Sequence, residues 1–132
     1  MLKQIKFEVN GQVLLLSALS ALDYLEYVEY MNSLEKPEPI KAEDSEKEIN
    51  AKLNKMTRNN LLAHARLMAF SLSHTQTDKT IDELQNEVLT TLTNNDFYLV
   101  LDAVQNVCNF PKTVDQEEVE QADSADGGVK NA

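Results

Sequence analysis

The side chains best suited to metal binding or nucleophilic attack in this sequence are His64, His74 and Cys108. A metal site needs several converging donors, and no cysteine or carboxylate stands at a ligand spacing beside either histidine. We therefore expect His64 on the side of a helix and His74 where that helix ends. Cys108, the single cysteine, cannot form an internal disulfide, and we expect a small core residue in a protein of the reducing cytoplasm.

The sequence lacks the common catalytic patterns. Its three glycines are too few for a Gly-rich phosphate loop, and its Ser, Asp and His residues show no arrangement that indicates a triad. The carboxylates fall in solvated runs rather than among apolar residues, where catalytic acids are usually tuned. We therefore predict no catalytic residue, no cofactor, no metal and no enzymatic activity.

Charge and hydropathy exclude further classes of function. The 132 residues carry 22 acidic and 12 basic side chains, a formal net charge of −10. Nucleic-acid binding requires clustered Lys and Arg, so the charge argues against it and favours partners with basic surfaces. No apolar run approaches the roughly 20 residues of a membrane span, and no secretory signal is present, so we expect no membrane partner.

The chain begins with the pattern of a β-hairpin. Ile5, Phe7 and Val9 alternate with charged residues, Asn10-Gly11 follows, and an apolar run then begins. Asn-Gly between two such runs favours a type I′ turn, in which both central residues have positive φ. We predict a short hairpin over about residues 4–16, which must pack on helices because an isolated hairpin is marginal in water.

A first helix is predicted from an N-cap at Ser17 to about Leu34, followed by a charged, proline-containing linker over residues 35–48. Its inward positions, at helical spacing, are Ala18, Ala21, Leu25 and Val28. On this face Tyr24 borders the core, whereas Tyr27 and Tyr30 turn outward. Such tyrosines either form the rim of a core or lie in a protein interface, so Tyr27 and Tyr30 are candidate partner-binding residues.

A long helix is predicted from about Ser45 to Ser73. One stripe contains Ile49, Leu53, Met56, Ala63, Leu67 and Phe70, interrupted by Asn60. The second half is also apolar on the opposite face, at Leu61, Leu62, Ala65, Met68, Ala69 and Leu72. A segment that is apolar nearly all round is either buried centrally or part of an interface. We expect some of Leu61, Leu62, Met68 and Leu72 to be exposed or buried between copies, and count all four as candidate partner-binding residues.

One side of this helix is basic. It carries Lys52, Lys55, Asn59 and Arg66. These side chains form either a solvated face or a ridge that meets an acidic surface, for example another copy of the protein. Lys52, Lys55 and Arg66 are therefore further candidates for partner binding.

Two shorter helices complete the predicted fold. Thr80 to Glu83 fits a capping box, and Ile81, Leu84, Val88 and Leu92 form the stripe behind it. Asn94-Asn95 then caps a fourth helix whose inward residues are Phe97, Val100, Leu101, Val104 and Cys108. The predicted fold class is mainly α, a hairpin packed on about four helices, with a helical domain over 1–111 and a disordered acidic tail over 112–132.

Three segments, in order along the chain, resemble the tail assembly chaperones of long-tailed phages, the lambda minor tail protein G family. The first comprises Phe7-Glu8, Asn10-Gly11, the run Leu16 to Leu22, and Glu26. The others are Ala69-Phe70-Ser71-Leu72-Ser73-His74 and Glu87-Val88-Leu89-Thr90-Thr91. The sequence departs from the family in having no tryptophan, with Ser73 and Leu92 at the positions where the lambda protein has one.

The resemblance implies a protein of the host cytoplasm that acts during tail assembly and is not expected in the mature virion. Chaperones of this family coat the hydrophobic tape measure protein and keep it soluble until the tail tube protein polymerises around it. Self-association into a ring or spiral would suit a protein that coats a long helical client. The alternative is a small cytosolic regulatory adaptor that binds one folded partner protein.

The family also implies a longer product, made by a programmed ribosomal frameshift near the end of the gene, whose extra domain recruits the tail tube protein. Val129-Lys130-Asn131 permits codons with an A-rich slippery run. A flexible tail with Gly127-Gly128 would carry an appended domain without disturbing the helices.

Overall fold

The elements of the protein follow one another in the order two strands, then four helices, in a computed structural model that describes residues 1–110. They are β1 (Gln4–Val9), β2 (Gln12–Ser17), α1 (Ala21–Ser33), α2 (Glu46–Ser73), α3 (Ile81–Thr91) and α4 (Asn94–Cys108). The predicted class, mainly helical with an N-terminal hairpin, is confirmed. The predicted disorder of residues 112–132, and with it the division into a domain and a tail, falls outside the described residues and stays a prediction.

β1 and β2 form an antiparallel hairpin in which Val9 pairs with Gln12 across the turn. Asn10 and Gly11 have φ of 54° and 75°, the positive values that the Asn-Gly signal predicted. The inner face of the hairpin contributes Ile5, Phe7, Val9, Leu14 and Leu16 to the core. Burial of this face on the helices stabilises a hairpin that would be marginal alone.

The helix starts are fixed by side-chain caps. Ser20, Ser45 and Thr80 each form a capping box with the acidic residue three positions later, as predicted for Thr80. Two predicted caps are wrong. Thr93 rather than Asn94-Asn95 caps α4, and Ser17 ends β2, where its N–H donates to Ser71 Oγ at 2.9 Å.

α1 buries a different face from the predicted one. Tyr27 is buried, whereas Leu25 is 52 % exposed and Ala21 is also exposed. Apart from the side that carries Asp23, Glu26 and Glu29, apolar residues cover most of this helix, so their spacing does not decide which of them are buried. A polar contact lies on the buried side, where Asp23 Oδ2, one turn before Tyr27, accepts from His74 Nε2 at 2.6 Å.

The core surrounds the second half of α2. Ala65, Leu67, Met68, Ala69, Phe70 and Leu72 are buried there, together with Leu84 and Val88 of α3 and Phe97, Val100, Leu101 and Val104 of α4. Central burial of this segment was one of the two predicted outcomes. Within residues 1–110, no helix is long and apolar enough to cross a membrane.

The first half of α2 extends beyond this core. α2 has 28 residues, about 42 Å at the usual rise, whereas α3 and α4 have 11 and 15 and are correspondingly shorter. Leu53 and Met56, predicted on the inward stripe, are therefore 43 % and 46 % exposed. The predicted helical period is confirmed, but Met56 lines an open groove with the end of α1 rather than the buried core.

Candidate partner-binding surface

The linker between α1 and α2 folds back along the first half of α2. Lys52 Nζ donates to the Pro39 carbonyl at 2.9 Å and to Asp44 Oδ2 at 2.7 Å. Asn59 Nδ2 donates to the Glu35 carbonyl at 2.8 Å, and Lys55 Nζ lies 3.0 Å from Glu35 Oε1. The basic side of α2 therefore meets an acidic surface, but one provided by the linker of the same chain.

Asp44 marks the end of this linker. Its Oδ2 accepts from the backbone N–H of Lys41 at 2.8 Å as well as from Lys52. The Lys41 N–H first, and Lys52 second, hold the pKa of the Asp44 carboxyl below its ordinary value. The carboxylate thus ties a turn of the linker to α2 at neutral pH.

An apolar groove of about 550 Å³ lies between the linker, the end of α1 and the middle of α2. We call it the linker groove, and its apolar lining is Met31, Leu34, Pro37, Ile40, Met56 and Ala63. Ile40 and Met56 are each 46 % exposed, so the groove is open to a partner. Methionine side chains adapt to irregular apolar ligands, and a concave apolar surface is typical of a binding site.

Sequence reasoning missed this groove. Met56 was assigned to the core stripe, and residues 35–48 were interpreted as a charged linker without a binding role. The available signal was Ile40, a large apolar residue that follows Pro37 and Pro39 in an otherwise charged segment.

Arg66 joins three helices of the same chain, and its predicted role in partner binding stays a prediction. Its guanidinium lies 2.5 Å from Asp82 Oδ1 and 2.8 Å from Gln85 Oε1, and it stacks over the Tyr30 ring at 4.5 Å from the centroid. Gln85 Nε2 in turn donates to the Tyr30 hydroxyl at 2.9 Å and to the Leu62 carbonyl at 3.0 Å. Arg66 and Tyr30 therefore hold α1, α2 and α3 together.

The other partner-binding residues predicted from the sequence differ in how deeply they are buried. Tyr27, Met68 and Leu72 are buried in the core of the single chain, whereas Leu61 and Leu62 are half-buried. None of the four is fully exposed in the single chain, and the expectation that some of them are buried between copies stays a prediction. A role of any of these residues in partner contact stays a prediction.

Several exposed apolar residues lie outside the groove. They are Val13 and Leu15 on β2, Leu22, Tyr24 and Leu25 on α1, and Tyr98 and Leu99 on α4. Single exposed apolar residues are common on protein surfaces, so the concave linker groove is the stronger candidate for partner binding.

The side chains that could bind a metal ion or act as nucleophiles are far from one another in sequence and do not form a cluster within residues 1–110. Within residues 1–110, no three His, Cys, Asp or Glu side chains are arranged to hold a metal ion. His64 packs edge-on against Tyr98, with ring centroids 6.3 Å apart, and its burial lowers the pKa of its imidazole. Burial likewise raises the pKa of the Cys108 thiol, which makes it a poor nucleophile at neutral pH.

Comparison with known proteins gives one family. The model of a family described as "Bacteriophage lambda tail assembly chaperone, TAC, protein G" matches residues 1–127. No curated protein and no solved structure matches significantly.

Proposed function

Because this chain belongs to the bacteriophage lambda tail assembly chaperone family of protein G, we propose that it binds the tail tape measure protein and keeps it soluble while the tail is built. Membership of the family identifies a phage tail assembly chaperone, which binds phage tail proteins. It therefore favours this class over the regulatory adaptor considered from the sequence.

The linker groove is the observation that supports client binding. Its walls present apolar side chains from three segments, and its volume of about 550 Å³ accommodates a few large side chains. An amphipathic helix inserts apolar residues at i, i+3 or i+4 and i+7 into a groove of this kind. We propose that apolar helical segments of the tape measure protein bind here during assembly.

Co-expression with the tape measure protein of the same phage tests this proposal. The wild-type chain should move most of the tape measure protein into the soluble fraction. Met56→Glu places a charge in the linker groove and should reduce that soluble fraction several-fold. Thr57→Glu is the matched control, because Thr57 is an exposed neighbour on α2 that does not line the groove.

Circular dichroism of both variants should show the same helix content as the wild type. Equal solubilisation by the Met56 and Thr57 variants would exclude the groove as the binding site. A tape measure protein that stays insoluble with the wild-type chain would contradict the proposed function itself.

Further parts of the proposal concern the longer form, assembly and location. We propose that a frameshift over the codons of Val129-Lys130-Asn131 yields a longer product that recruits the tail tube protein, and that the chaperone self-associates into a ring or spiral around its client. It would act in the host cytoplasm and be absent from the mature virion. A gene without a slippery run at these codons, or without an overlapping downstream frame, would remove the frameshift from this proposal.

A further inference from the structure

The outer edges of the two hairpin strands differ in their contacts with the rest of the described fold. On β2, the Ser17 N–H donates to Ser71 Oγ at 2.9 Å, and the Leu15 carbonyl accepts from Thr75 Oγ1 at 2.9 Å. Side chains at and just after the end of α2 thus occupy part of the edge of β2 that faces away from β1. Covering an edge in this way prevents it from pairing with another strand.

Within the described residues, the edge of β1 has no such cover. Residues of an antiparallel pair alternate between those that bond across the pair and those whose backbone groups point away. Ser17 and Leu15 point away from β1, so their register partners, Gln4 and Lys6, point away from β2, and so does Glu8. Within residues 1–110, no group bonds to the backbone N–H or C=O of these three residues.

The charges along this edge are self-complementary. If two copies of β1 pair antiparallel about a two-fold axis at Phe7, Lys6 of each copy lies directly opposite Glu8 of the other. Both residues have outward backbone groups, so each Lys6–Glu8 pair also exchanges two backbone hydrogen bonds. A shift by two residues would instead place Lys6 opposite Lys6, and like charges directly opposite one another are destabilising.

We propose that the β1 edge binds the β1 edge of a second copy of this chain, which gives a continuous four-stranded antiparallel sheet across a two-fold axis. The inference rests on the self-association included in the proposed function and assigns it a surface and a register. An isologous contact of this kind closes on itself, so it makes a dimer, and any larger ring or spiral must use another surface as well.

Charge swapping on the full chain tests the register. Sedimentation equilibrium of the wild type should show a concentration-dependent dimer. Lys6→Glu and Glu8→Lys each place like charges opposite one another in both symmetric pairs, and each should raise the dimer dissociation constant about tenfold. The double variant Lys6→Glu/Glu8→Lys restores opposite charges and should recover most of the wild-type affinity, which also shows that the hairpin tolerates both substitutions.

Amide hydrogen exchange tests the edge directly. In the dimer, the Lys6 and Glu8 amides should be protected, and dilution to monomer should release them. The Phe7 amide bonds to β2 inside the hairpin and should stay protected in both states, which makes it the internal control.

A wild-type chain that is monomeric at all concentrations would overturn the proposal, as would a dimer unaffected by the single variants or not restored by the double variant. Protection of the Lys6 and Glu8 amides in a monomer would also overturn it, because the edge would then be covered within one chain. None of these results bears on whether the wild-type chain solubilises the tape measure protein, so failure of this inference is distinguishable from failure of the proposed function.

Discussion

Gln85 is a nearly buried polar side chain at the junction of three helices, 7 % exposed. It bonds to the Tyr30 hydroxyl, the Leu62 carbonyl and Arg66. Gln85→Leu keeps the volume but leaves these polar groups without their partner, so the free energy of unfolding should fall by about 1–3 kcal/mol. Urea denaturation measures the change.

The adjacent residue gives the control for this prediction. Asn86 is exposed on the same helix, so Asn86→Leu should change the free energy of unfolding by less than about 0.5 kcal/mol. Equal losses in the two variants would mean that the Gln85 network does not stabilise the junction.

The free energy of unfolding should depend on pH through the imidazole of His64. Burial lowers the pKa of its imidazole, so the folded chain resists a proton that the unfolded chain accepts near its ordinary pKa of about 6.5. The contribution of neutral His64 to stability is therefore complete above about pH 6.5 and is lost as the pH falls through the lower, folded-state pKa. The melting temperature should drop between pH 7.5 and pH 5.5.

His64→Gln should make this drop smaller, because glutamine does not titrate. His74→Gln serves as the comparison, since His74 lies elsewhere, against Asp23. An NMR titration of the wild type would contradict the argument if the His64 imidazole became protonated at or above the pH expected of a free histidine.

At the scale of elements, the attachment of the hairpin to α2 depends on Ser71. Its hydroxyl is fully buried and accepts the Ser17 N–H at 2.9 Å. Ser71→Ala leaves that backbone N–H buried without a partner, so the free energy of unfolding should fall by about 1–3 kcal/mol in a denaturation experiment. Ser73→Ala is the matched control, because within residues 1–110 the Ser73 hydroxyl bonds only to the Phe70 carbonyl of its own helix. The Ser71 prediction fails if both variants lose the same amount.

At the scale of the whole molecule, α2 belongs to two environments. Its second half lies inside the core formed with α3, α4 and the hairpin, whereas its first half is covered on one side by the linker. Opening of a poorly packed segment requires less free energy than global unfolding. Amide hydrogen exchange should therefore be slowest over residues 63–72 and clearly faster over residues 46–56, and uniform protection along α2 would contradict this division.

Local chemistry made much of the fold predictable from the sequence. The Asn10-Gly11 turn, the Thr80 capping box and the stripes of α3 and α4 each depend on residues only a few positions apart, so the sequence predicted them correctly. The three family segments likewise predicted the chaperone class that the family match confirms, although no residue in them performs chemistry.

The tertiary structure decided what depends on distant parts of the chain. The burial of Tyr27 rather than Leu25 follows from how α1 packs on the rest of the chain, because both lie within a broad apolar side of α1 and helical period alone does not decide between them. The exposure of Met56 follows from its place on the wall of an open groove rather than in the core. The linker groove exists because Lys52 and Asn59 hold a linker that precedes them by up to 24 positions, and side-chain spacing within one helix carries no information about such long-range contacts.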